Sequence, residues 1–150
     1  MAEHPEKLGR FLEMLRLVED RDDRIELLIG VADRYTGVPP GLASRPYPTD
    51  HLVPSCESEA YFWAEDRPDG SIGIHFAVEN PQGISAKAMA VILDENLSGV
   101  PLEELARLST DIPYEIFGRE LSMGKSMGLM GMVAMVQRAA KKRLSSPHRK

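Results

Sequence analysis

The sequence predicts an α+β fold: a small antiparallel three-stranded sheet flanked by N- and C-terminal helices in two layers. Three observations carry the prediction. Apolar residues recur at helical spacing near the N-terminus, strict apolar alternation stands in the middle at 71–79, and the second half returns to helical spacing. Helices, then strands, then helices is the order of an α+β domain rather than of an alternating α/β one.

Leu8, Phe11, Leu12, Leu15 and Val18 supply the stripe of the first helix. Asp22 or Asp23 is placed to cap a second helix that carries Ile25, Leu28, Ile29 and Ala32 on one side. The stretch 36–50 has five prolines and glycines among its first eleven residues and reads as loop. Two strands follow. The segment 58–65 is aromatic-rich, and 71–79 sets Ile72, Ile74, Phe76 and Val78 on one face. Arg67, Pro68, Asp69 and Gly70 between them form a turn signal, so the pair is a hairpin. A short segment at 51–53 is expected to add the third strand.

In the second half, Ser85 is placed to cap a helix through Met89, Ile92 and Leu93 that ends at Ser98 and Gly99. Pro101 suits a first helical position, with Glu103 and Glu104 beside the positive end of the helix dipole. A short turn at 113–117 precedes a final helix expected over about 125–142. Residues 1–140 read as a single domain, and 141–150 as a basic, flexible C-terminal tail.

With 23 acidic against 18 basic residues, a nucleic-acid partner has no global electrostatic support. The apolar stretches are too short and interrupted to cross a bilayer. The acidic N-terminus lacks the apolar run of a signal peptide, and one free thiol suits a reducing compartment, so the expected location is the cytoplasm.

Cys56 is the one cysteine of 150 residues and has no partner in its own chain to bridge. Pro54 removes a ladder donor and ends the extended segment before it, which places the thiol at a loop between strands. Several chemistries fail on the neighbouring residues. Gly124, Lys125 and Ser126 resemble the end of a phosphate-binding loop, but Arg119 stands where its first glycine is required. His4, His51, His75 and His148 are scattered, without the clustered ligands a zinc site needs, although His51 lies only five residues from Cys56. A cysteine hydrolase wants a positioned histidine and a third orienting group, and no pattern supplies them. Glu57 and Glu59 flank the cysteine with negative charge, which works against a thiolate. Met123, Met127, Met130, Met132 and Met135 read as core filling or, in the functional alternative, as a partner groove.

Three blocks resemble the SufE family, whose members accept sulfur from cysteine desulfurases in iron–sulfur cluster assembly. The first is the run from Val53 to Tyr61, where the family pattern is Val-x-Gly-Cys-Gln-Ser-Gln-Val-Trp. The second is the run from Ile84 to Gly99, followed by Pro101 and Leu105, similar to the helix and Ser-Gly turn after the family's sheet. The third runs from Leu121 to Leu129, in the place of Leu-Ser-x-x-Arg-x-Asn-Gly-Leu. The resemblance covers about 10–140 and implies a two-layer fold with Cys56 as persulfide acceptor on a loop at one end of the sheet. It places the family's basic residue at Lys125, in an electrostatic role, and its glycine at Gly128. It implies a pyridoxal-phosphate cysteine desulfurase as partner, activated by this chain, with an iron–sulfur scaffold protein as a further candidate partner. No cofactor or metal of the chain's own is expected, and no nucleic-acid or membrane partner. Pro54 and Ser55 become candidate hinge residues for a loop that shelters the cysteine when idle and extends it on docking. Ser55 replaces the family glycine, Glu57 and Glu59 its two glutamines, and Met127 its asparagine. Lys125 keeps the arginine's charge and loses its bidentate geometry. Two other readings stand beside the carrier: a non-catalytic desulfurase-binding modulator, and a small redox or metal-binding protein using Cys56 with a histidine.

Overall fold

The computed structural model describes residues 4–56, 58–118 and 121–146. Two helices, α1 (Glu6–Leu17) and α2 (Arg21–Ala32), lead through a long loop with one 3-10 turn (Thr49–His51) into the hairpin β1 (Ala60–Asp66) and β2 (Ile72–Val78). Four helices follow: α3 (Ile84–Leu97), α4 (Leu102–Leu105), α5 (Ile112–Phe117) and α6 (Met123–Leu144). The α+β class is thus as the sequence predicts, and no described helix is long and apolar enough to cross a membrane.

Of the predicted stripe of α1, Leu8, Leu12 and Leu15 are buried, Phe11 is half-buried against the core, and Val18 lies just past the helix as its C-cap. In α2 the cap and the face both differ from expectation. Asp20 is the capping residue, its carboxylate accepting the Asp23 N–H at 3.0 Å. The buried face is Leu28, Val31 and Ala32, while Ile25 and Ile29 are exposed, because α2 packs toward α3 along the 28–32 side. The α3 helix starts one residue before Ser85, with Gly83 as N-cap, and Pro101 precedes α4 instead of opening it. Nine of the fourteen residues of α3 are buried, which makes it the central helix of the core.

The hairpin has the predicted turn. Gly70 takes φ 90° and donates its N–H to Arg67 C=O at 3.0 Å. Its register pairs Phe62 with Phe76, whose rings lie 5.1 Å apart over α3. The expected third strand is not formed. Among the described residues the sheet has two strands, and 51–53 contributes one bridge, Leu52 to Tyr61. The physical reason is local: His51 closes the 3-10 turn, and Pro54 has no N–H to continue a ladder, which leaves the Val53 N–H to Ala60 C=O bond at 2.8 Å.

Helix α6 starts at Met123 behind the Ser122 cap, whose hydroxyl accepts the Lys125 N–H at 3.3 Å, and runs to Leu144. Residues 141–144 of the expected tail are therefore helical, and Arg143 pairs with Asp66 at 2.7 and 3.1 Å; His148 and the rest of 147–150 lie outside the described residues.

Candidate functional site around Cys56

The loop carrying Cys56 is pinched at its base by the Val53–Ala60 bond and closed above it by the Glu59 N–H, which donates to Cys56 C=O at 3.2 Å. Beyond Glu59, the loop continues the hairpin's pairing: Glu79 N–H donates to Glu59 C=O at 3.2 Å and Asn80 N–H to Ser58 C=O at 3.1 Å. The loop is thus held to the segment that leads into α3. Its tightness shows in two non-glycine residues with positive φ, Ser55 at 61° and Glu59 at 52°. This conformation costs an L-residue about 1–2 kcal/mol relative to glycine.

Under the loop runs α6, and two glycines one turn apart let it approach. A Cβ on Gly128 would stand 2.9 Å from Cys56 Cα and 3.1 Å from the Ser55 carbonyl oxygen. A Cβ on Gly131 would stand 2.9 Å from the Pro54 carbonyl oxygen. On the other side, a Cβ on Gly83 would lie 2.8 Å from Ser58 Oγ. Three close approaches therefore hold the loop between α6 and the start of α3. The sequence singles out Gly128 of these and misses Gly131 and Gly83; small residues spaced by three or four on α6 are the signal that was there to read.

Cys56 is half-buried and lines a cleft of about 310 Å³. Its other lining includes Asn80, Gln82 and the first residues of α3, together with Gly124, Lys125 and Gly128 of α6. The N-terminal ends of two helices, of 14 and 22 residues, thus border the same cleft. Helix N-termini present partial positive charge and unpaired N–H groups, which suit an anionic sulfur or oxygen. Lys125 adds a positive charge to the lining, and Ile84 is an exposed apolar side chain there. The carboxyl pKa of Glu79, just before Asn80, is lowered by its hydrogen bonds to the Arg45 guanidinium (2.8–3.0 Å), against an opposing effect of burial.

Of the sequence-predicted residues, Cys56, Lys125 and Gly128 meet at this cleft. Glu59 and Ser55 are exposed on the loop, Pro54 faces a different hollow, and Glu57 lies outside the described residues. His51 is turned away. Its ring stacks on Trp63 at 4.9 Å, and Nδ1 lies 2.7 Å from Phe62 C=O, on the hollow that Pro54 lines. His75 pairs with Glu65 at 2.9 Å and His4 with Glu115 at 3.0 Å, and neither histidine lines the Cys56 cleft. Among the described residues no group of three or more side chains is placed to hold a metal ion. The methionines divide: Met132 is fully buried, whereas Met123 and Met127 are exposed in the first turns of α6.

No curated protein matches the chain. A solution structure of a hypothetical protein from Thermus thermophilus superposes with a TM-score of 0.71, at 22% identity, over 96% of this chain and 100% of that one. At that identity the likeness speaks for the fold. Residues 9–140 match the family model described as "SufE: Fe-S metabolism associated domain", a span that takes in the hairpin, the Cys56 loop and nearly all of α6. The chain belongs to the SufE family, and with it to iron–sulfur metabolism.

Proposed function

We propose that this protein is a sulfur carrier: Cys56 takes the terminal sulfur of a persulfide formed on a cysteine desulfurase and passes it on for iron–sulfur cluster assembly. One observation carries the reading. The chain's single thiol sits on a loop held over two helix glycines, half-open at the mouth of a cleft bordered by two helix N-termini and Lys125.

In the transfer, the Cys56 thiolate attacks the outer sulfur of the partner's Cys–S–SH. A new S–S bond forms at Cys56 Sγ, the partner's S–S bond breaks, and the partner's cysteine leaves as thiolate. No net oxidation occurs, and the rate follows thiolate fraction, leaving group and access. A single cysteine suits a carrier, since a second nearby thiol would resolve the persulfide into a disulfide. The helix ends and Lys125 stabilise negative charge on the carried sulfur. Pro54 and Ser55 act as the hinge. Extension of the loop releases the positive φ of Ser55, which offsets part of the packing given up at Gly128 and Gly131. The partner desulfurase, a pyridoxal-phosphate enzyme, turns over faster because its persulfide is cleared, and the reaction takes place in the cytoplasm.

The test is intact mass spectrometry after incubation with a desulfurase and cysteine. The wild type should gain about 32 Da, one sulfur, removed by reductant. Cys56→Ser should gain nothing. The acidic loop residue Glu59 favours a second reading, a modulator that binds the desulfurase without carrying sulfur. Cys56→Ser retaining full stimulation of the desulfurase would establish that alternative and end the carrier proposal.

A further inference from the structure

The charge of this chain is divided very unevenly. All 23 acidic residues fall in the first 120 positions, while 7 of the 18 basic residues fall in the last 30, so the net −5 splits into −12 and +7. Helix α6 contains five basic residues and no acid. Three of them, Arg138, Lys142 and Arg143, border a second hollow, about 330 Å³, between the 3-10 turn, β1 and α6. Leu52, Trp63 and Met135 form its apolar floor, with Leu52 exposed by 38%.

Arg138 and Lys142, one turn apart on the same face of α6, are exposed on its rim. Neither has an acidic partner among the described residues, whereas Arg143 beside them is committed to Asp66. Among the described residues Asp50 is the one carboxylate lining the groove, which Arg138 and Lys142 line without an acidic partner. The position of the groove gives it meaning. Pro54 lines it on one side of the reactive loop, and Cys56, two residues on, lines the cleft on the other.

We propose that this groove is a docking site for a carboxylate-rich, apolar-anchored surface of the protein that supplies sulfur. The inference rests on the carrier reading and adds to it where the donor grips and by what chemistry. A protein is favoured over a nucleic acid because a long polyanion laid along α6 would meet the −12 remainder of the molecule, while a local acidic patch meets only the groove. An acidic residue of the donor pairs with Arg138 and Lys142, an apolar side chain covers Leu52 and Met135, and the bound segment presses on Pro54 beside the hinge.

The test is calorimetric titration of a cysteine desulfurase with the full chain at low and moderate salt. Arg138→Glu with Lys142→Glu is compared with a charge-matched control on α1, Lys7→Glu with Arg10→Glu, all four residues being exposed. The groove pair should weaken binding at least about tenfold and flatten its salt dependence, with the control changing it less than about twofold. The neutral pair Arg138→Gln with Lys142→Gln should fall between. Thermal melts establish that each variant is folded. Equal losses from groove and control pairs, no loss from the groove pair, or no binding by the wild type would each overturn the proposal. So would loss of affinity for a single-stranded DNA of about twenty nucleotides with desulfurase binding unchanged. Failure of the carrier reading looks different: the wild type binds through the groove, yet Cys56 gains no mass.

Discussion

Gly128 sets where Cys56 can lie. Its missing Cβ is the space occupied by the Cys56 backbone, so the side chain most restricted at this site is one that does not exist. Gly128→Ala forces the loop off α6 by a few tenths of an ångström or more. It should destabilise the protein by about 1–3 kcal/mol, as overpacking does. That corresponds to a Tm lower by about 2–4 °C per kcal/mol for a chain of this size. Alkylation of Cys56 by iodoacetamide should quicken in parallel, because the displaced loop exposes the thiol. Gly30→Ala in the exposed part of α2 is the control. Nothing lies within 4 Å of that Cβ, and the helix should gain about 0.5–1 kcal/mol. Unchanged melting and alkylation in Gly128→Ala would show that the loop is not seated on α6. Ser55 adds a residue-scale reason for mobility, since it holds a φ of 61° that glycine would adopt freely.

Among elements, the hairpin shows why two strands suffice. The outer edge of β2 would offer unpaired backbone groups to another chain. Here Val78 N–H donates to Tyr35 Oη at 2.8 Å, Ile74 N–H to Ser98 Oγ at 2.9 Å, and Ile72 C=O accepts from Gly99 N–H at 3.0 Å. Side chains and one loop amide thus do what a third strand would do. Burial pushes the Tyr35 hydroxyl's pKa up, keeping it protonated. Tyr35→Phe leaves the buried Val78 N–H unpaired, and should cost about 1–3 kcal/mol in urea unfolding. A loss under about 0.5 kcal/mol would mean that water replaces the hydroxyl at the strand edge. None of this edge closure is periodic in the sequence. Tyr35 lies 43 residues from Val78, so alternation could give the hairpin and its register but not what borders it.

For the whole molecule, Arg24 joins parts that sequence patterns treat separately. Its guanidinium donates to Leu15 C=O at 2.9 Å and to Ile116 C=O at 3.1 Å, serving carbonyls near the ends of α1 and α5 with one side chain. Carbonyls near a helix C-terminus carry the negative end of the dipole, so a cation is a favoured partner; the Leu15 carbonyl also accepts the Val18 N–H at 3.1 Å. Arg24→Leu should lower stability by about 2–3 kcal/mol, since two carbonyls lose charge-assisted bonds at once. Arg24→Lys should recover only part, because an ammonium lacks the fork that reaches both. Equal stability of Arg24→Leu and wild type in a thermal melt would show that the bridge contributes nothing. Toward the C-terminal end of α6, Arg143 and Asp66 tie the helix that bears Gly128 to the hairpin.

By itself the sequence determined what depends on spacing along the chain. The α1 stripe, the hairpin with its Arg67–Gly70 turn, and a loop position for Cys56 follow from periods of 3.6 and 2 and from the fixed φ of proline. The three resembling blocks located the family, which the match over 9–140 shows. Only the tertiary structure decided which face of α2 is buried, that the third strand shrinks to one bridge, and that Gly131 and Gly83 join Gly128 in seating the loop. It alone set Cys56 and Lys125, 69 positions apart, on one cleft, and turned His51 onto Trp63 instead. The physical reason is the same in each case. Local patterns record which side chains share a face, whereas close approach between backbones depends on partners brought together by the packing of distant elements.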